Sequence, residues 1–244
     1  VAVSSISIAK SIVREKRYSR LEALINSKFS NDQIVYLLEC FESRKDDEIQ
    51  QLVTDNADIP TIFEYVLGIA WYKISERKGD LLSYFKLSLD ADLLPKTHAG
   101  GREADIVYEY DKTGIYPAHS LLLEATLSDN TNQRRMEMEP VSRHLGQHLL
   151  ENGNLNSYCV FITNYLHINV IADFRMRKNA NYYDPNDHSK FVKGMKIIPM
   201  QSSELKTILN KNLTYKDLFV LFENAFQSED PPHEWYNSMM ISKI

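Results

Sequence analysis

The sequence predicts an α/β or α+β domain with a mixed central sheet flanked by helices, on three observations. Apolar residues recur at helical spacing near both ends of the chain. Between them lie dense β-branched and aromatic runs, "DIVYEY", "SLLLEATLS", "SYCVFITN" and "KIIPM". Proline, glycine, asparagine and aspartate separate these runs, as strand and helix ends require. At 244 residues, 43% hydrophobic and 25% charged, the chain suits one large domain with an appended helical region. The expected division is a helical region or connector over 1–55 and the main domain over 56–244.

The elements follow in order. Leu21, Leu24 and Ile25, then Ile34, Leu37, Leu38 and Phe41, make Ile6 to Glu42 helical, with a new start at Ser30-Asn31-Asp32 where Asn or Asp would cap. Lys10, Arg14, Lys16, Arg17 and Arg20 make the first helix basic, which reads as a solvated face or a phosphate-contacting one. "SRKDDEIQQLVTDNADIP" reads as a polar connector. From Pro60, "TIFEYVLGIAWYKIS" predicts a strong apolar helix with Glu64 inside it. "LLSYFKLSLDADLLP" predicts a strand or hairpin closed by Pro95.

Two strands follow, around "DIVYEY" and "LLLEATLS", then a polar helix ended by Gly153. "SYCVFITN" predicts a fully buried strand and "RKNANYYDPNDHSK" a polar, mobile stretch. "KIIPM" predicts a strand, and "SSELKTILNKN" and "TYKDLFVLFENAF" predict helices. The end segment "PPHEWYNSMMISKI" is expected to pack its Trp235.

Composition excludes several classes. A net charge of −5 argues against a protein that coats nucleic acid, yet it fits a site that collects carboxylates for metal ions. No apolar run approaches the roughly 20 residues of a membrane helix, and no signal peptide is evident. Cys40 and Cys159 sit in apolar surroundings, as reduced thiols of a cytoplasmic protein do. The first residue is Val1, which fits a fragment or a processed product. The histidines and cysteines lack zinc spacing, and neither a P-loop nor a serine-nucleophile motif is present.

Two carboxylates stand out. Alternation on "LLLEATLS" sends Glu124 and Thr126 to one face and Leu123 and Ala125 to the other. Asp105 opens the preceding strand after Gly100 and Gly101. If the strands pair, Asp105 and Glu124 converge beside the Ala125 carbonyl, a hard oxygen set of the kind Mg²⁺ takes. A cation so held can activate a water and neutralise phosphate charge. The competing reading makes Asp105 a turn cap and pairs Glu124 with Arg102, Arg134 or Arg135. Glu137 shares one side of the following helix with His144 and His148; it either leans over the strand ends or pairs at the surface with Arg134.

Taken together, "THAGGREADIVYE", "LLLEATLSDNTNQRRMEMEPVSRHL", "YCVFIT" and "IIPM" resemble the cleavage domain of AlwI- and BstNBI-type restriction endonucleases, within the PD-(D/E)xK superfamily. The likeness runs from about Pro60 to Leu209, and its most specific pieces are the acidic turn, "EAT" and "MEMEPVSRH". It implies a PD-(D/E)xK nuclease core and a type IIS or nicking enzyme that hydrolyses DNA phosphodiesters with a metal-activated water. It also implies Mg²⁺, with Mn²⁺ able to substitute.

Residue by residue, the resemblance implies Asp105 and Glu124 as metal ligands and Glu137 as a second-metal or water-orienting ligand. Glu64 would act nearby through water. Thr126, a hydrogen-bonding support, stands where the wider superfamily has lysine, and Ala104 where it has its namesake proline. Arg143 and His144 match a recurrent pair that could contact DNA phosphate.

Two other readings remain: a structure-selective or repair nuclease of the same fold, and a catalytically silent module that binds DNA or mediates assembly. One site cuts one strand, so double-strand cleavage would need transient dimerisation, a partner subunit or a second visit. No DNA-reading motif is visible, so double-stranded DNA would be addressed through a separate recognition domain or subunit.

Overall fold

In the computed structural model, which describes residues 2–98, 104–128 and 136–244, with side chains from Ile6 onward, four strands carry the centre of the fold. They are β3 (Ile106–Tyr110), β4 (His119–Thr126), β5 (Tyr158–Thr163) and β8 (Ile197–Gln201), side by side in that order. β3 runs antiparallel to β4, with Ile106 opposite Leu123 and Tyr110 opposite His119. β4, β5 and β8 are mutually parallel, with Glu124 opposite Phe161 and Thr126 opposite Thr163. The mixed sheet is that expected from the sequence. The Gly100–Gly101 turn and Arg102, Arg134 and Arg135 lie outside the described residues.

Parallel neighbours cannot be joined by a tight turn, so each needs a crossover. Helix α6 (Met138–Asn152) makes the first and ends at Gly153, whose φ of 68° suits glycine. The second contains α7 (Ile168–Met176), capped by His167, and a hairpin of β6 (Asn181–Tyr183) with β7 (Phe191–Lys193). Neither element is among the sequence expectations: the hairpin occupies the stretch read as polar and mobile, because its two three-residue strands are too short for alternation to register.

Helix α4 (Ile59–Ile74) begins at Asp58, whose carboxylate accepts the Thr61 N–H at 2.9 Å, with Pro60 in the first turn. It is buried on nearly every side and packs on the sheet face bearing Ile106 and Tyr108; the Tyr108 hydroxyl donates to the Gly68 carbonyl at 2.7 Å. α6 covers the opposite face, where its His144 meets Glu124. Covered on both faces, β4 is buried along almost its whole length, so its sequence reads as an apolar run.

The N-terminal helices, α1 (Ala2–Lys28) and α2 (Asn31–Glu42), with Phe29 between them, contribute Leu21, Ile25, Ile34 and Leu38 to the same hydrophobic cluster as Ile62 and Tyr65 of α4. Ser30 caps α2, rather than Asn31 or Asp32, by accepting the Gln33 N–H at 3.1 Å. The presumed connector holds α3 (Asp46–Leu52), two turns with Asp46, Asp47 and Glu48 at the positive end of the helix dipole. The expected strand or hairpin before Pro95 is one helical turn, α5 (Leu81–Tyr84), followed by β1 (Ser88–Leu89) and β2 (Pro95–Thr97). Pro95 thus opens a strand instead of closing one.

The C-terminal helices α8 (Ser202–Asn210) and α9 (Tyr215–Gln227) lie where their pattern put them. Trp235 is fully buried, donates to the Ala225 carbonyl at 2.8 Å and stacks against the Arg175 guanidinium. Cys40 and Cys159 are buried free thiols. No described helix is long and apolar enough to cross a membrane.

Candidate active site

The β3–β4 register, continued one residue beyond Ile106 and Leu123, sets Asp105 opposite Glu124. Asp105 is fastened there because its Oδ2 accepts the Ala125 N–H at 2.8 Å. Both side chains fall on the α6 side of the sheet. Glu64 comes from α4 on the other side and reaches the same sheet edge, close enough for Asp105 to perturb it.

Three carboxyl groups share this neighbourhood, and each resists ionisation. Burial holds Asp105 well above the usual carboxylate range; the Glu124 charge adds to this, the Ala125 N–H opposes it, and Glu137 contributes a little more. Burial likewise raises Glu124, helped by the charges of Glu137 and Glu64 and opposed by Arg143. Glu64 is pushed up to about 9 by burial, then by the charges of Asp105 and Asp58. Its Oε2 is buried and has no hydrogen-bond partner among the described residues. A buried acceptor left in that state is costly, and it marks a site suited to a cation or an ordered water.

Glu137 stands at the start of α6 and is held from the strand end. Its Oε1 accepts hydrogen bonds from Thr126 Oγ1 at 2.7 Å and Ser128 Oγ at 3.2 Å, while Thr126 Oγ1 accepts the Ser128 N–H at 3.0 Å. Thr126, expected as a hydrogen-bonding support in the superfamily's lysine position, makes two such bonds. Here that threonine orients an acid. Ser128 was missed as a contributor, although its two-residue offset from Thr126 is the spacing of a hydroxyl turn. A surface cleft lined by Ile59, Phe63, Ala125, Thr126, Ser128 and Glu137 lies over these strand ends.

Arg143 and His144 part company. Arg143 is partly exposed and its Nε donates to Glu139 Oε1 at 3.1 Å. His144 is buried, and its Nδ1 lies 2.7 Å from Glu124 Oε1. It faces Glu124 on the buried side of the helix. The signal was present in the sequence: Val141, Leu145 and Leu149 define the core stripe of α6, and residue 144 falls on that stripe's edge.

Among the described residues, no group of three or more His, Cys, Asp or Glu side chains stands ready-made to hold a metal ion. The donor set still fits a hard divalent cation. Asp105 and Glu124, with the Ala125 carbonyl, would supply oxygen ligands only, and Mg²⁺ commonly binds one or two carboxylates and fills its remaining positions with water. A cation there would also relieve the carboxyl repulsion just described.

The AlwI restriction endonuclease family matches residues 2–208. Among solved structures, the small subunit of the heterodimeric restriction endonuclease R.BspD6I superposes with a TM-score of 0.59 at 17% identity, covering 84% of this chain and 97% of that one. Restriction endonuclease FokI gives a TM-score of 0.46 at 12% identity, covering 85% of this chain and 33% of that one. No curated protein sequence matches the chain. The sheet order, its acidic edge and the length of the family match converge: the chain belongs to the AlwI restriction endonuclease family and has the PD-(D/E)xK endonuclease fold.

Proposed function

We propose that this chain is a Mg²⁺-dependent cleavage module that hydrolyses phosphodiester bonds in double-stranded DNA, working as part of a type IIS or nicking restriction enzyme. One observation carries the reading: Glu64, Asp105 and Glu124 are packed together with their charged forms disfavoured, and Glu64 Oε2 has no partner among the described residues. A fold tolerates such a cluster when something positive joins it in the working state.

In this reading Asp105, Glu124 and the Ala125 carbonyl would hold the cation, Mg²⁺ first, with Mn²⁺ able to substitute. Such a cation supplies a water of lowered pKa and neutralises charge building on the phosphate. Glu137, aimed by Thr126 and Ser128, orients the attacking water and takes up its proton, the work otherwise given to the superfamily lysine. Glu64 steadies the same water network from α4. His144 keeps Glu124 in place through Nδ1. Arg143 is left as the phosphate contact, since its ion pair with Glu139 is exposed and easily exchanged.

The R.BspD6I small subunit is part of a heterodimer, and it is matched over 97% of its length. By that analogy the chain pairs with a separate recognition domain or subunit, or dimerises transiently to cut both strands. The division at 55/56 is then one of labour, with the chemistry lying in 56–244. Cleavage of incoming DNA places the work in the cytoplasm.

Conversion of supercoiled plasmid to nicked and linear forms tests the reading, at high protein concentration with Mg²⁺, Mn²⁺, Ca²⁺ or EDTA. Metal-dependent nicking that disappears in Glu124→Ala is the expected result. Full cleavage by a folded Glu124→Ala protein would overturn it. Failure to cleave with any of these metals, even with the recognition partner added, would favour a silent binding module.

A further inference from the structure

The β6–β7 hairpin presents one face to α6 and the other to solvent. Its register pairs Asn181 with Lys193, Tyr182 with Val192 and Tyr183 with Phe191. Alternation sends Tyr182 and Val192 inward, and Val192 is buried. The Tyr182 ring lies flat on Gly146, so close that a Cβ there would stand 2.4 Å from it. The outward face therefore carries Asn181, Tyr183, Phe191 and Lys193.

That face is unusual for a solvated ribbon. Tyr183 and Phe191 are 49% and 51% exposed, and their rings pack against one another with centroids 5.5 Å apart. Asn181 Nδ2 donates to the Tyr183 hydroxyl at 3.1 Å, which fixes that ring's direction. Lys193 has no ion pair among the described residues, and Lys190 at the turn has only an exposed one to Asp187 at 3.4 Å. The two acids of the turn accept local hydrogen bonds: Asp184 takes the N–H groups of Asn186 and Asp187, and Asp187 takes the Ser189 N–H and hydroxyl.

The position of the ribbon matters as much as its composition. Gly146, which seats Tyr182, lies two residues beyond His144, the partner of Glu124. Arg143 stands on the same helix three residues before Gly146 and pairs with the exposed Glu139.

We propose that the outer face of this ribbon, with Lys190 and Lys193 on phosphates and Tyr183 and Phe191 against the groove or sugars, is a contact surface for duplex DNA flanking the scissile bond. This rests on the nuclease reading above. Exposed cations beside apolar rings suit a polyanion with apolar sugar and base edges, and a two-stranded ribbon is among the elements a major groove admits.

The test is the affinity of the full chain for a fluorescent duplex of about 30 base pairs, measured by anisotropy in Ca²⁺ across a salt series. Lys190→Ala/Lys193→Ala should bind about tenfold more weakly, and its log–log salt slope should be shallower by about 2, since each lost phosphate contact removes about 0.9. Tyr183→Ala/Phe191→Ala should lose similar affinity with its salt slope unchanged. The arginine pair Lys190→Arg/Lys193→Arg should bind like wild type. All four side chains are exposed, so melting temperatures should match wild type and separate lost contacts from lost fold. Wild-type affinity and slope in both alanine pairs would overturn this proposal and leave the nuclease reading standing. Absence of DNA binding by the wild-type chain together with its recognition partner would overturn both.

Discussion

Nδ1 of His144 and Oε1 of Glu124 lie 2.7 Å apart, and both side chains are buried between α6 and the sheet. The contact needs one proton between the two groups. When Glu124 is the acid, it can donate; when a cation draws Glu124 into its carboxylate form, Nδ1–H must donate instead. The histidine thus keeps Glu124 directed at the strand ends in either state, the arrangement by which outer partners orient metal-binding groups.

Removing that partner should weaken the use of metal more than the fold. His144→Ala is expected to lower Mg²⁺ affinity or cleavage by about 10- to 100-fold, and His144→Gln, which retains an N–H donor, should recover part of the loss. The measurement is the Mg²⁺ concentration dependence of plasmid nicking. A wild-type Mg²⁺ curve for His144→Ala would make the contact one of packing only.

Glu64 predicts a pH dependence of stability in the metal-free protein. Its carboxyl is raised from an ordinary 4.5 to about 9 by burial and by the charges of Asp105 and Asp58. A group raised in the folded state stabilises fully below its unfolded value, and that stability is lost as pH rises toward the folded value. In EDTA the melting temperature should therefore fall between about pH 5 and pH 9, and Glu64→Gln should flatten the fall. Mg²⁺ should stabilise more at the alkaline end, because binding no longer competes with protons. A melting temperature that rises across this window would show that Glu64 ionises freely in the fold.

How far the sequence disclosed this site depended on which interactions were local. Glu124 was conspicuous because a central strand covered on both faces is otherwise apolar, and Asp105 because it opens the preceding strand. Their pairing followed from simple antiparallel succession. The direction of His144 depended on how α6 rotates about its axis, which Val141, Leu145 and Leu149 settle by packing. The β6–β7 ribbon and α3 stayed hidden because three-residue strands and a two-turn helix carry too little periodicity, and α7 because it opens at His167, outside the usual Ser, Thr, Asp and Asn caps. The Ser128 contact closes only when α6 brings Glu137 back over the strand end.

The approach of α4 to the sheet, which sets the depth of Glu64, rests on a missing side chain. A Cβ on Gly68 would lie 2.4 Å from the Phe85 ring and 2.9 Å from Ile106 Cδ1. Gly68→Ala should cost about 1–3 kcal/mol by overpacking, read as a lower urea midpoint with an unchanged slope. Phe85→Leu in the same protein should restore part of that loss by vacating the space. Wild-type stability in Gly68→Ala would mean that α4 lies farther from the sheet.

Thr126 decides whether this site replaces the superfamily lysine with an oriented acid. Its hydroxyl donates to Glu137 Oε1 at 2.7 Å and accepts the Ser128 N–H at 3.0 Å, in a nearly buried position. Thr126→Val keeps the shape and removes both bonds, leaving Glu137 with a weaker hold and the Ser128 N–H without its acceptor. The stability cost should be about 1–3 kcal/mol, and cleavage should fall about tenfold or more as Glu137 loses its aim. Thr126→Ser retains the hydroxyl and should stay near wild type in both respects. The check is single-turnover nicking beside urea denaturation for the two variants. A Thr126→Val protein that is destabilised yet cleaves at the wild-type rate would make the hydroxyl a structural clasp and remove Glu137 from the chemistry.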